Sequence, residues 1–201
     1  MAEPKVCVSL EAITVEEMID EATRANIAGA DYVEVRFDKL YLNKPEPITM
    51  VNDDGEEYSK MPPIEEWGVK DFEEIDVEQA IANLKEGIPV PVVFTARAVR
   101  EGGFFAGTEQ ERLQILEQGI KSEVSFVDLE LSIEKKSRDK LVKLASSSNC
   151  QVIASIHETK ATPSAEEIVT MVKDNSSQGD IIKFCSTVSN PVSYTHLRAH
   201  E

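Results

Sequence analysis

The sequence predicts an α/β fold of the (β/α)8 barrel type, with about six of the eight strand–helix units present. Short apolar runs alternate with longer segments of helical periodicity, a pattern typical of a parallel sheet with helices packed outside it. The turn after the first run reads SLEAIT and contains no glycine, whereas an open sheet that binds a dinucleotide carries a glycine-rich turn there. Polar and charged residues instead follow the carboxyl ends of several runs, where barrel active sites are assembled.

Six apolar runs are predicted to be strands, because each is short and is bounded by turn or capping residues. They are Val6–Leu10, Tyr32–Phe37, Pro91–Thr95, Val124–Leu129, Gln151–Ser155 and Ile181–Cys185. A complete barrel needs eight strands and typically ~250 residues. The 201-residue chain is therefore expected to end before a barrel closes, which would leave the first and sixth strands as open edges.

Helices are predicted between the strands from apolar residues spaced three and four apart and from capping signals. Thr14 and Glu17 form a capping box for a first helix that runs to Ala28, and Gly29 is expected to end it. The other predicted helices are Thr108–Gln118, closed by Gly119, then Ile133–Ala145, and finally Ser164 to about Val172.

Residues 1–190 are interpreted as one incomplete barrel domain. Within it, residues 43–76 break the alternation with prolines and many acids, and they predict a solvated surface insertion with a hairpin of its own. Residues 191–201 show no helix pattern and are expected to be a non-native tail. His196 and His200 lie in that tail and are therefore poor catalytic candidates.

Composition limits the partners. The net charge is −16, from 37 acidic and 21 basic residues, so nucleic acid and anionic membrane surfaces would repel the chain. The three cysteines form no CxxC pair and no zinc spacing, which indicates reduced thiols and no metal site. The amino terminus lacks a signal-peptide layout, and no apolar run approaches the ~20 residues of a membrane span. We therefore expect a cytoplasmic protein.

Lys183 interrupts the last apolar run, GDIIKFCST, although a buried ammonium is costly unless it is paired or loses its proton. One interpretation is a lysine whose stem packs while its head reaches solvent. The other is an amine with a lowered pKa that attacks a carbonyl and forms a Schiff base. If Ile182 and Phe184 face the helices, strand alternation points Lys183 into the barrel. On the residues alone, the two interpretations are evenly balanced.

His157 is expected just past the fifth strand, in ASIHETKATPSAEE. It is either a polar loop residue beside a helix start or, because of its place at a strand's carboxyl end, a general base near pH 7.

Three further charged pairs lie on or after strands. Glu34 and Arg36 share a strand face and predict either a structural ion pair or part of an anion and hydroxyl site. The other two pairs are Arg97 with Glu101, beside the glycines of REGG, and Asp128 with Glu130, for which a structural role is favoured.

Taken in series, PKVCVSL, YVEVRFD, FTARAVREGG, FVDLEL, IASIHETKATPSAEE and DIIKF resemble the type I 3-dehydroquinate dehydratases of the shikimate pathway. They occur in that family's order and span the chain nearly to residue 187. The resemblance implies a (β/α)8 barrel, a homodimer, no metal and no cofactor. It also implies the removal of water from 3-dehydroquinate to give 3-dehydroshikimate.

By this resemblance, Lys183 forms an imine with the ring ketone, His157 is the general acid/base, and Glu101 is the carboxylate that orients the histidine. The positions that match substrate contacts are Ser9, Glu34, Val35, Arg36 and Arg97. Family members continue past the lysine for two strand–helix units, which carry an arginine, a serine and a glutamine unmatched here. Two alternatives stay open: another Schiff-base barrel such as a class I aldolase, and an inactive or unstable fragment of the dehydratase.

Overall fold

Six parallel strands form one curled sheet in the computed structural model, which describes residues 4–188. Each strand pairs in parallel with the next one along the chain, so that the first and last strands form the two edges of the described sheet. The strands are β1 (Cys7–Ser9), β2 (Tyr32–Arg36), β3 (Val92–Thr95), β4 (Phe126–Glu130), β5 (Gln151–Glu158) and β6 (Ile181–Ser186). The predicted tail, residues 191–201 with His196 and His200, lies outside the described residues.

Helices connect the strands and cover the convex face of the sheet. Their bounds are α1 (Val15–Ile27), α2 (Val77–Gly87), α3 (Glu109–Lys121), α4 (Lys135–Ser147) and α5 (Ala165–Asp174). The predicted capping residues are confirmed, since the side chains of Thr14, Thr108 and Ser164 each accept a hydrogen bond from the main-chain N–H three residues later. Helix α2 was not predicted from the sequence, although Asp76 caps it and Ala80, Ile81 and Leu84 form its buried face.

The main core lies between the sheet and these helices. Fully buried side chains from β2, β3 and β4, including Val35, Phe94 and Val127, pack against Met18 of α1 and Ile115 of α3. A smaller apolar cluster occupies the opposite, concave face near the amino ends of the strands, and it comprises Val93, Phe126 and Ile153 with Tyr32 packed against them. Successive residues of each strand alternate between these two faces.

Gly119 lies inside α3 and does not end it, so that part of the helix prediction is wrong. A Cβ at this position would lie 2.6 Å from Cδ1 of Phe94. The absent side chain lets the helix approach β3 closely. A glycine that the sequence pattern assigned to a helix end therefore serves helix–strand packing.

Strand β5 is longer than predicted. It runs through His157 to Glu158, because its register with β6 continues from Ile153–Ile181 to Glu158–Ser186. His157 is therefore a strand residue, and its expected position in a loop past the strand is wrong.

The predicted hairpin within residues 43–76 is confirmed. Ile48–Val51 pairs antiparallel with Glu57–Lys60 through a turn in which Asn52 accepts main-chain hydrogen bonds. Most of the hairpin is exposed, as expected for a solvated excursion. Among the described residues, no helix is long and apolar enough to cross a bilayer.

Replacing Gly119 with alanine tests the helix–strand contact. Alanine gains about 1 kcal/mol in helix propensity at an open site, but here we expect a net destabilisation of about 1–3 kcal/mol from overpacking against Phe94. Urea denaturation would measure it, with Gln114→Ala on the exposed face of α3 as the control, expected within about 0.5 kcal/mol of the parent. A stabilised Gly119→Ala variant would show that Phe94 moves freely.

Candidate active site

A band of polar side chains crosses the concave face of the sheet. It lies closer to the carboxyl ends of the strands than the apolar cluster does. Hydrogen bonds link its members across β1 to β6. The residues of the band are Ser9, Glu34, Thr95, Asp128, Ser155 and Lys183. All of them except Ser9 and Lys183 are buried, so the band is a polar layer held inside the curl of the sheet.

Lys183 points into this layer. Its Nζ donates to Oε1 of Glu34 at 2.7 Å and to Oδ2 of Asp128 at 3.1 Å. Its side chain is 29% exposed. Of the two interpretations drawn from the sequence, the inward orientation is the one that the structure supports.

The ammonium form of Lys183 is stabilised in this arrangement. Burial disfavours the charge, but the negative charges of Asp128 and Glu34 outweigh burial and raise the pKa of Lys183 above its ordinary value. The lowered pKa that the sequence suggested is therefore wrong for this arrangement. The apolar run around the lysine indicates desolvation, but it does not reveal two carboxylates contributed by other strands.

Glu34 accepts three hydrogen bonds that fix its carboxylate. Ser9 Oγ donates to Oε2 at 2.9 Å, while Thr95 Oγ1 and Lys183 Nζ donate to Oε1 at 2.9 and 2.7 Å. Burial favours protonation, but the charge and hydrogen bond of Lys183 lower the pKa of Glu34. The carboxylate is thus ionised, and it lies beside the open edge of the polar layer.

Of the two alternatives drawn from the sequence for Glu34 and Arg36, an ion pair between them is not formed in the described structure. Within residues 4–188, Arg36 forms its ion pair with Asp38, through Nε to Oδ1 at 2.9 Å and Nη2 to Oδ2 at 2.7 Å. Both Glu34 and Arg36 lie on one strand face, as expected. The chain then turns at residues 37–41, which brings Asp38 against the Arg36 guanidinium. Glu34 instead forms an ion pair with Lys183.

Arg97 lies between Asp128 and Glu130. It donates to both oxygens of Asp128 at 2.9 and 3.1 Å and to Oε1 of Glu130 at 2.9 Å. Burial disfavours its charge, but Asp128 and Glu130 raise the pKa of Arg97 still further. Burial would also protonate Asp128, but Arg97 and Lys183 lower the pKa of Asp128 to about 2. Both acids form buried ion pairs with Arg97, which fits the structural role favoured for them, and Asp128 also contacts Lys183.

Glu130 links the site to the start of α3. Its Oε2 accepts from Nη1 of Arg112 at 2.8 Å, and Arg112 also donates to the carbonyl oxygen of Ala96 at 2.9 Å. The other side of the Arg112 guanidinium binds Glu109, which Arg100 contacts from the surface. Although burial raises the pKa of Glu130, its two arginine partners oppose that effect.

His157 lies on β5 next to Glu101. Its Nδ1 is 3.1 Å from Oε2 of Glu101 and 3.4 Å from Nη1 of Arg97. Burial, followed by the positive charge of Arg97, lowers the pKa of His157 against the opposing charges of Asp128 and Glu101. The imidazole is therefore neutral near pH 7. In the tautomer that donates from Nδ1 to Glu101, Nε2 carries a free lone pair that can accept a proton.

Glu101 is presented by a tight loop after β3. A single turn at Val99–Glu101 is followed by Gly102, whose φ of +75° lies in the left-handed region that favours glycine. A Cβ at Gly103 would lie 2.2 Å from the carbonyl oxygen of Arg97. The two glycines therefore let the chain fold back directly above Arg97, and this close return points Glu101 at His157.

The structure separates the predicted site residues into two groups. Lys183, His157, Glu101, Glu34, Ser9 and Arg97 lie in one hydrogen-bonded cluster, and Arg36 lies nearby on β2. Val35 does not share this face, because its side chain is fully buried against the helices. The predicted substrate contact at Val35 would therefore have to be made by its main chain.

Two members of the cluster were not predicted as site residues. A structural role was favoured for Asp128, and no role was predicted for Ser155, whose hydroxyl donates to Asp128. Strand alternation could have indicated both, because each lies two residues before another inward-facing polar residue: Asp128 before Glu130, and Ser155 before His157. Among the described residues, no group of three or more His, Cys, Asp or Glu side chains is arranged to hold a metal ion.

The curled parallel sheet and the ionisable groups on its concave face define an α/β protein of the TIM-barrel class. Solved structures support this fold. The chain matches the 3-dehydroquinate dehydratase of Enterococcus faecalis with a TM-score of 0.74 and 23% identity, covering 99% of this chain and 72% of the other. A Clostridium difficile type I 3-dehydroquinate dehydratase with covalently modified comenic acid matches with a TM-score of 0.72 and 24% identity, covering 98% and 68%. The predicted fold class is confirmed.

The family follows from the sequence comparisons. A family model described as type I 3-dehydroquinase matches residues 6–197, and the chain belongs to that family. A 3-dehydroquinate dehydratase of Methanocaldococcus jannaschii is 34% identical over 137 residues, which cover 67% of this chain and 59% of the relative. One of Methanothermobacter thermautotrophicus is 30% identical over 179 residues, covering 89% and 64%. The chain thus spans less than two thirds of the length of these curated relatives.

The buried contacts of Arg112 with Glu130 and Glu109 lead to a stability prediction. Arg112→Met removes one of the two arginine partners of buried Glu130 and leaves Glu109 without its buried contact, so we expect a loss of about 3–5 kcal/mol in unfolding free energy. Arg100→Met removes an exposed partner of Glu109 and should cost at most about 1 kcal/mol. Chemical denaturation of both variants would measure the difference. Equal losses would contradict the view that Glu130 depends on Arg112.

Proposed function

We propose that this chain converts 3-dehydroquinate to 3-dehydroshikimate and water through an imine on Lys183. The observation that carries the proposal is the pairing of an inward lysine with a histidine–carboxylate pair on the neighbouring strand. Cys185 of β6 lies in register with His157, and Lys183 precedes Cys185 by two residues on the same face. Membership of the type I 3-dehydroquinase family supports the choice of substrate.

Imine formation begins with the loss of a proton from Lys183. Since Asp128 and Glu34 hold the amine as an ammonium, a base must remove that proton when the ketone arrives. His157 is neutral near pH 7 and is the base we assign to this step. The Nζ lone pair then attacks the ketone carbon. The carbinolamine loses its oxygen as water, with a proton returned by His157, and a protonated imine results.

The two carboxylates that oppose deprotonation of the Lys183 amine favour the protonated imine. A protonated imine is a cation at the position of the ammonium, so Glu34 and Asp128 stabilise it in the same way. The cation draws electrons from the neighbouring carbon and acidifies its C–H bond. His157 takes that proton, and the resulting enamine expels the hydroxyl group, which leaves as water with the proton that His157 returns. Hydrolysis of the conjugated imine then releases the product and restores Lys183.

Ser9, Glu34 and Arg36 are the substrate contacts that we propose from their positions. Ser9 and the outer oxygen of Glu34 suit hydroxyl groups, and the Arg36 guanidinium suits a carboxylate. Arg97 is already held by Asp128 and Glu130, so we assign it to fixing those carboxylates and, through its charge, to lowering the pKa of His157, as well as to any contact with substrate.

The wider setting follows the family resemblance. We propose a homodimer that works in the cytoplasm, with no nucleic-acid or membrane partner. The reaction as written needs no cofactor, because the imine on Lys183 itself serves as the electron sink.

The assignment of Lys183 predicts a covalent adduct. Borohydride added with 3-dehydroquinate should reduce the imine, and mass spectrometry should locate the added mass on Lys183. Lys183→Ala should lose the adduct, whereas Lys143→Ala, which removes an exposed lysine of α4, should keep it. An adduct of equal yield on the Lys183→Ala variant would overturn the assignment.

The same samples separate the alternatives. An adduct with turnover of 3-dehydroquinate supports the dehydratase, and an adduct without turnover indicates a chain that forms the imine but does not complete the elimination. Cleavage of a phosphorylated sugar without an adduct from 3-dehydroquinate would favour a class I aldolase.

Glu34→Gln should lower the pKa of Lys183, because it removes one of the two negative charges that raise it. The free amine then becomes available at lower pH. Reductive methylation of Lys183 with formaldehyde, followed by mass spectrometry across a pH series, should show the rate profile displaced to lower pH. Glu57→Gln on the exposed hairpin makes the same charge change and should leave the profile in place. An unmoved profile in Glu34→Gln would contradict the charge argument.

A further inference from the structure

Asp38 is a buried acid that the proposed reaction does not use. It lies in the turn of residues 37–41 directly after β2, and its side chain is fully buried. Asp38 is the last residue of YVEVRFD, the segment that also contains Glu34 and Arg36. In the structure this residue contacts both sides of the candidate site.

The carboxylate of Asp38 accepts from two separate segments. Nε and Nη2 of Arg36 donate to its two oxygens at 2.9 and 2.7 Å. The main-chain N–H of Phe104 donates to Oδ2 at 3.0 Å. One acid therefore joins a guanidinium on β2 to the loop after β3, across 66 residues of sequence.

The loop that Asp38 holds is the loop that presents Glu101. Phe104 follows the two glycines, and Phe105 N donates to the carbonyl oxygen of Arg97 at 3.2 Å. Glu101, at the other end of this short return, reaches His157. Glu101 is exposed only slightly at its side chain, 12%, so its direction depends on the path of the loop.

A second contact ties the same two segments together. The Arg36 guanidinium carbon lies 5.8 Å from the centre of the Phe104 ring, within the range of a cation–π contact. Lys39 lies at the same distance from that ring and forms an ion pair with Glu11. Asp38 is the member of this group that hydrogen-bonds both Arg36 and the main chain of the loop.

We propose that Asp38 is a positioning residue with two effects. It fixes the orientation of the Arg36 guanidinium that would bind the substrate, and through the Phe104 N–H it fixes the loop that places Glu101 next to His157. The proposal rests on the proposed function, in which Arg36 binds the substrate and His157 moves protons. An aspartate suits this place because three N–H donors converge on it, and an ionised carboxylate offers acceptor sites to all three.

Asp38→Asn is the informative substitution. An amide keeps the shape but offers one acceptor oxygen and turns an NH2 group towards the donors of Arg36 or Phe104. We expect the loop to move and Glu101 to retreat from His157. Since the charge of Glu101 raises the pKa of His157, its retreat should displace the titration of His157 to lower pH.

The readout is the pH titration of His157 followed by NMR, with its resonance assigned from a His157→Gln variant. Glu101, Arg97, Asp128 and Lys183 are the charged groups that act on this imidazole. Glu101→Gln should displace the titration in the same direction as Asp38→Asn, and Asp38→Asn added to Glu101→Gln should cause no further displacement. An equal displacement in both backgrounds would mean that Asp38 acts by its own field, and it would overturn the positioning role.

Two further variants keep the test decisive. Glu11→Gln alters the neighbouring Lys39 ion pair and leaves the Asp38 contacts intact, so its titration should match the parent. Asp38→Glu keeps the charge but lengthens the side chain, so it stands in if Asp38→Asn does not fold. A titration of Asp38→Glu identical to the parent would show that charge alone matters, and would reject the proposal.

Kinetics give an independent arm. Asp38→Asn should lower kcat/KM by up to about a hundredfold, through a raised KM from Arg36 and a lowered kcat from Glu101. A change in neither parameter would reject the proposal. If the parent chain forms no borohydride adduct with 3-dehydroquinate, the proposed function fails, while the His157 titration still decides whether Asp38 positions Glu101.

Discussion

The constraint on which the rest of the structure depends is the pairing of charge inside the curl of the sheet. Arg97 is buried and needs both Asp128 and Glu130, while those acids stay ionised or nearly so only through Arg97, Lys183 and Arg112. Breaking such a buried pair leaves an uncompensated charge in a poor solvent, which is strongly destabilising. The same network holds β3, β4 and β6 together and fixes the lysine, so fold and site share one set of contacts.

This pairing also decides which chemical states the site favours. A lysine between two carboxylates is a weak nucleophile at neutral pH, but in the proposed reaction the imine cation would occupy an environment already arranged for positive charge. His157 differs, since burial and Arg97 keep it neutral and ready to accept a proton. The site therefore combines a stabilised cation with an uncharged base, and the division of roles arises from unequal neighbours.

Local periodicity and residues three or four positions apart predicted the six strands, the N-cap residues and two of the three capping boxes. Strand alternation indicated the inward direction of Lys183. Sequence reasoning failed where partners are distant in the chain. The Lys183 pKa depends on Glu34, which lies 149 residues earlier in the chain. Arg36 pairs with Asp38 and not with Glu34, because the chain turns at residue 37 and brings Asp38 against the guanidinium. Gly119 was predicted to end a helix, whereas a glycine is needed there because the Phe94 ring packs against the helix. Helix α2, which follows the acidic insertion, was not predicted.

The extension of β5 through His157 has a consequence for how the site tolerates change. His157 and Lys183 both lie in one hydrogen-bonded ladder, so their spacing is set by strand register, and the conformation of the following connection has no part in it. Length variation between Glu158 and α5 can therefore be absorbed without altering the relative positions of the His157 and Lys183 side chains.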